Sequence, residues 1–149
     1  LVINVAAMLI AFLAFIEMIN YLLGLIDTDL SLSNIFSLVF SPIAFLIGVP
    51  IAEVPAVADL LGTKLVANEF VAYLKLTSDY KEVLSERSFI LVTFALTGFA
   101  NFGSVGIQLG GIGGIAPERR GDLARLGWWA LLAGFFSTMI NASLASVLL

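Results

Sequence analysis

G-T-K-L-V-A-N-E-F-V-A-Y-L, from Gly62 to Leu74, sets an amide and a carboxylate, Asn68 and Glu69, inside an apolar tract. A second such tract, F-A-N-F-G-S-V-G-I-Q-L-G-G from Phe99 to Gly111, carries Asn101 and Ser104 in a stretch without charge from Ser88 to Pro117. Polar groups at membrane depth are costly, so they usually face a bundle interior or a water-filled path and mark a functional site. The two tracts therefore decide the reading: an all-α membrane protein with a solute site between them.

Composition agrees. The 149 residues are 60% hydrophobic and 12% charged, with a mean hydropathy of +1.08, against about 25% charged residues in ordinary soluble domains. A spanning helix needs roughly 20 mainly apolar residues. Segments 1–26, 88–115 and 126–149 have that length, with Glu17 the only charged residue inside them. Glu17 reads as a subunit-interface or snorkelling group. Leu1 opens directly in an apolar run without a basic leader, so the first span does not read as a signal peptide, and a longer N-terminal portion is expected ahead of it.

Between the first two spans the chain is apolar but broken by Pro42, Gly48, Pro50, Pro55 and Gly62. Residues 31–47, capped by Ser31 or Ser33, are expected to form a helix near the interface. Arms 51–61 and 65–76 are each too short to cross at about 1.5 Å per residue. They predict a re-entrant helical hairpin over 51–76 with its tip at Gly62-Thr63-Lys64, candidates for a gate. Such backbone is tolerated at depth only when buried in protein or lining a cavity. Segment 88–115 has the length of a span, but Gly98, Asn101, Gly103, Ser104 and Gly106 predict a helix broken around 101–104. Interrupted helices expose carbonyls and helix-end dipoles to a ligand. Pro117 opens a short basic helix before the final span, 126–149. Arg119, Arg120 and Arg125 predict a cytoplasmic loop there and an external C-terminus.

The chemistry offered is hydrogen bonding. Asn101 and Ser104, three apart, share a helix face. With Glu69 they make a carboxylate, an amide and a hydroxyl suited to neighbouring hydroxyls such as those of a sugar. The blander alternative is that Asn101 and Ser104 satisfy freed backbone groups while Glu69 pairs with Lys64. Lys64 can also pair with carbonyls of a neighbouring element. Phe99 could stack on a flat ring. Gly106, Gly110 and Gly114, and Gly134, Thr138, Ala142 and Ser146, form small-residue stripes for close helix packing. The chain has no cysteine and no histidine, which removes thiol chemistry, the commonest metal ligand and the usual neutral-pH base. No nucleophile–base pair or metal cluster is evident, so an enzyme is disfavoured. The net charge of −4 comes without a basic patch, and no nucleic-acid partner is expected.

Three strings in order, G-T-K-L-V-A-N-E-F-V-A-Y-L, F-A-L-T-G-F-A-N-F-G-S-V-G-I-Q-L-G-G (Phe94 to Gly111) and A-P-E-R-R (Ala116 to Arg120), resemble the C-terminal half of concentrative nucleoside transporters. The resemblance covers nearly the whole chain. It implies an inverted-repeat transporter working as a homotrimer in the lipid bilayer, in bacteria the inner membrane. Residues 1–28 would be the scaffold helix and 29–149 the transport region. It implies secondary active symport of nucleosides, with Glu69, Asn101 and Ser104 binding the ribose and Phe99 nearby. No cofactor is expected in this segment; the coupling ion, sodium or proton, would be held by residues ahead of Leu1. A recognition or gate-type membrane module without transport is the alternative, and a channel-like subunit a third class.

Overall fold

The computed structural model describes residues 2–28 and 30–149. Leu1, at the head of the first span, and Asp29, in the acidic turn that follows it, lie outside them. The described residues form helices and no strands: α1 (Val2–Gly24), α2 (Leu32–Leu46), α3 (Val54–Val66), α4 (Glu69–Ser78), α5 (Glu86–Leu96), α6 (Phe102–Ile115) and α7 (Arg120–Leu148), the last entered through a 3-10 turn at Pro117–Arg119. The run Pro117–Leu148 is long and apolar enough to cross a membrane. At 23 residues α1 also has the length, given about 1.5 Å of rise per residue and a core roughly 30 Å thick.

Local chemistry sets the boundaries. Of the two candidate caps for α2, Ser31 serves, accepting from the Asn34 N–H at 3.2 Å. The helix closes on Gly48, whose φ of +97° lets its N–H reach Phe45 O while Val49 N–H reaches Ala44 O. That paired bonding is a Schellman stop, which favours glycine in the left-handed position. Pro55 sits in the first turn of α3, where its missing N–H costs nothing. α3 and α4 fold back as a hairpin, since Asp59 in the middle of α3 meets Lys75 in the last turn of α4 at 2.6 Å.

Two sequence expectations shift. The hairpin turns at Ala67-Asn68, not at Gly62-Thr63-Lys64, which lie buried inside α3. Glycine inside a helix costs about 1 kcal/mol relative to alanine, but here packing outweighs propensity. A Cβ on Gly62 would come within 2.6 Å of Ser33 O on α2, so glycine permits the close approach of α2 and α3. The turn falls instead where Asn68 can act as a cap. Likewise the interruption between α5 and α6 spans 97–101, earlier than 101–104, because Gly98 takes a φ of +80° and Asn101 already caps α6.

The core sits between α2, α3, α5 and α7 and includes the fully buried Val57, Leu60, Leu61, Leu91, Val92 and Leu96. Aromatic contacts link α2, α6 and α7: Phe36 stacks on Phe40 within α2 and meets Phe102 edge-on, Phe40 stacks on Phe135 at 4.8 Å, and Phe102 stacks on Trp128. The small-residue stripes pack in part, for Gly110 is buried whereas Gly114 is exposed. Gly106 on α6 faces the Phe12 ring of α1, and Thr138 and Ala142 of α7 are buried.

Arg87, in the first turn of α5, donates to Gly48 O at 2.8 Å and to Ser146 O and Oγ at 2.7 and 2.8 Å. One guanidinium thereby ties the α2–α3 corner to the end of α7. At the hairpin base, Tyr80 donates to Asp59 at 2.7 Å. Burial, reinforced by that bond and the charges of Asp59 and Asp79, pushes the Tyr80 phenol well above its usual range.

Candidate functional site: the hairpin turn and the helix break

Two helix starts meet at the site, and each is capped by asparagine. Asn68, in extended backbone, accepts from Val71 N–H at 2.9 Å and opens α4. Asn101, also extended, accepts from Ser104 N–H at 2.8 Å and opens α6. Ser104 closes the box: its hydroxyl donates to Asn101 O at 2.6 Å and accepts from Asn101 N–H at 3.3 Å. Side-chain caps of this kind satisfy donors that the first helical turn leaves free.

Glu69 is the first residue of α4, where the helix dipole favours a carboxylate. The Asn101 amide donates to Glu69 Oε2 at 2.9 Å, bridging turn and break. With its Oδ1 spent on the cap, Asn101 has one orientation, amide toward Glu69. The blander sequence alternative therefore holds in part: Asn101 and Ser104 do serve the backbone. Glu69 pairs with Asn101, however, and not with Lys64.

Lys64 turns the other way. Fully buried, its ammonium donates to Ala95 O and Thr97 O, both at 2.8 Å, and to the Thr138 hydroxyl at 2.9 Å. The C-terminal carbonyls of α5 are thus met largely by the hairpin. Thr93 O accepts from the Tyr73 hydroxyl of α4 at 2.7 Å, Phe94 O from Thr97, and Ala95 O from Lys64.

Two cavities flank the break. One of about 400 Å³ is lined by Asn68, Glu69, Phe70, Phe99, Asn101 and Ile107, among others. That lies within the roughly 300–1,000 Å³ of small-molecule sites. The second, about 220 Å³, is lined by Gly98, Phe99, Ser104, Gln108, Leu131 and Gly134 among others, on the α7 side. Of the sequence candidates, Glu69, Asn101 and Phe99 line the larger cavity, and Phe99, which also borders the smaller one, is 75% exposed. Ser104 is 8% exposed and borders the smaller one. Gly62, Thr63 and Lys64 line neither. Glu17 lies exposed on α1, away from both.

Sequence reasoning passed over Asn68 as a cap, although asparagine followed by glutamate at an expected helix start is a readable signal. It also passed over Asp59, whose partners Lys75 and Tyr80 lie 16 and 21 residues on, with no local periodicity to announce them.

The family profile described as "Na+ dependent nucleoside transporter C-terminus" matches residues 1–146. The chain belongs to this family. Among its relatives, it is 47% identical to an uncharacterized transporter of Bacillus subtilis, over 97% of this chain and 37% of that protein. It is 42% identical to sodium/nucleoside cotransporter 1 of Homo sapiens, over 97% of this chain and 25% of that one. The chain thus spans well under half the length of these relatives. Its fold matches CNTnw, as a double mutant in an outward-facing state, with a TM-score of 0.89 at 41% identity, covering 98% of this chain and 38% of that one. Against CNTnw in an inward-facing substrate-bound state the TM-score is 0.75 at 44% identity, covering 97% and 35%. Family membership makes this a multi-pass membrane protein of a transporter family, not an enzyme.

Proposed function

We propose that this chain supplies the ribose-binding half of the site in a nucleoside symporter. The observation that carries the reading is the Asn101–Glu69 bond in the lining of the larger cavity. A carboxylate accepting from an amide keeps further lone pairs for vicinal hydroxyls, and the exposed Phe99 ring in the same lining offers a stacking face. Ser104 contributes mainly through Asn101, by locking its rotamer. The names of the relatives support nucleosides as the solute and sodium as the co-transported ion. Residues holding that ion are expected ahead of Leu1, as is a second hairpin of inverted topology.

In this reading the α3–α4 hairpin is re-entrant and moves with α5–α7 as a transport body within each protomer of a trimer, past α1 as scaffold. The higher similarity to the outward-facing relative supports an outward-like arrangement of those parts.

The test is Glu69→Gln in the full-length transporter, reconstituted in proteoliposomes. The amide keeps an oxygen for Asn101, so assembly is expected to survive. Losing the charge weakens each bond to ribose; hydrogen bonds to charged groups contribute about 1.5–3 kcal/mol, hence roughly a tenfold to hundredfold rise in KM for uridine. Unchanged uptake would remove the ribose assignment.

A further inference from the structure

A membrane protein rarely buries a lysine without a carboxylate, yet among the described residues no acidic group forms an ion pair with Lys64. Its three ammonium protons meet three oxygens instead: two carbonyls of the α5 terminus and one hydroxyl of α7, all at 2.8–2.9 Å. The side chain is 0% exposed, so no proton is left for water or for Glu69. The Thr138 hydroxyl sends its own proton to Phe135 O at 2.8 Å, which aims a lone pair at the ammonium. The Phe135 ring adds a π face 5.5 Å from Nζ. Carbonyls freed at a half-helix C-terminus, with a hydroxyl beside them, are the donor set that transporters offer to small monovalent cations.

We propose that Ala95 O, Thr97 O and Thr138 Oγ1 form a monovalent-cation cage at the end of α5, filled permanently by the tethered ammonium of Lys64. The tether makes this end of the break independent of any dissociable ion. It fixes Thr97, two residues before Phe99 and four before Asn101, so Lys64 is a positioning residue for the segment that borders the larger cavity. Arginine could not replace it, because a planar fork of donors does not match three converging acceptors. The inference stands on this geometry whichever solute the cavity takes.

Two variants of the full-length transporter test it by melting in detergent, without added nucleoside, at fixed ionic strength. Lys64→Ala empties the cage and leaves room for a small cation. Lys64→Met fills the room but brings no charge. Both are expected to melt earlier than the parent. Methylammonium chloride, replacing choline chloride, is expected to restore Lys64→Ala saturably by about 5 °C, with no such gain for Lys64→Met or the parent. A parent-like melt of Lys64→Met, or no selective gain by Lys64→Ala, overturns the proposal. Should neither variant assemble, the cage is read from Thr138. Thr138→Ser keeps the hydroxyl and is expected to melt with the parent, while Thr138→Val melts several degrees lower; equal melting of the two overturns it.

Discussion

The turn at Ala67-Asn68 and the break at 97–101 are built with the same device, an extended asparagine opening a helix, yet they carry different loads. Asn68 is half-buried, its cap bond is local, and the chain it turns lies at the cavity edge. Asn101 is 3% exposed, sits in a reciprocal box with Ser104, and spends its remaining amide on Glu69. Behind the break, Lys64 and Tyr73 hold the carbonyls that α5 cannot use. One interruption is a capped turn; the other is clamped from both sides by the hairpin. A helix can therefore be broken inside the protein when a neighbouring element replaces its lost internal bonds.

The sharpest way to break this comparison is Asn101→Ala. It removes a buried cap and leaves Glu69 without its amide partner, so about 2–3 kcal/mol of stability should go, together with uptake. Melting and proteoliposome transport read both. Next comes Gly62→Ala. In a flexible tip an added methyl would be harmless, whereas at the α2 contact overpacking costs about 1–3 kcal/mol. A melt equal to the parent would return Gly62 to the role of a loose hinge. Asn68→Ala should lose only about 1 kcal/mol, the usual value of a cap, and keep most uptake; an effect as large as that of Asn101→Ala would erase the distinction between the two sites. Smallest is Tyr80→Phe at the hairpin base. Because the folded state raises the phenol above its ordinary 10.0, chiefly by burial, its contribution is complete below that pH and fades as pH rises beyond it. Tyr80→Phe should therefore be slightly less stable near neutrality but lose less on going alkaline, visible as a flatter melting profile above about pH 10.

Much of the fold was legible because apolar length and helix breakers are local properties. The long helices, the short hairpin arms and the interruption near Asn101 all follow from runs and punctuation within about 20 residues. The location of the turn was not legible, since Gly62 and Asn68 are both turn signals and only the Ser33 carbonyl on α2 decides between them. The three-residue spacing of Asn101 and Ser104 puts them on one helix face, as a ligand site requires. That three-residue spacing also makes a capping box, and Ser104 turned out to serve the cap and border the other cavity. Glu69 and Asn101 were found from the cost of polarity at depth. Their mutual bond joins positions 32 residues apart, which no local pattern encodes.

The cage of Lys64 also bears on how the protein is made. The ammonium emerges 31 and 33 residues before the two carbonyls that receive it, and 74 before the threonine. At roughly 5–20 residues per second, its last acceptor is synthesised about 4–15 s later. A lysine ammonium taken out of water before its acceptors are in place is costly. The nascent hairpin must therefore wait in a wet or chaperoned setting until its later neighbours arrive, and ribosome stalling before Thr138 should leave Lys64 open to amine-reactive reagents.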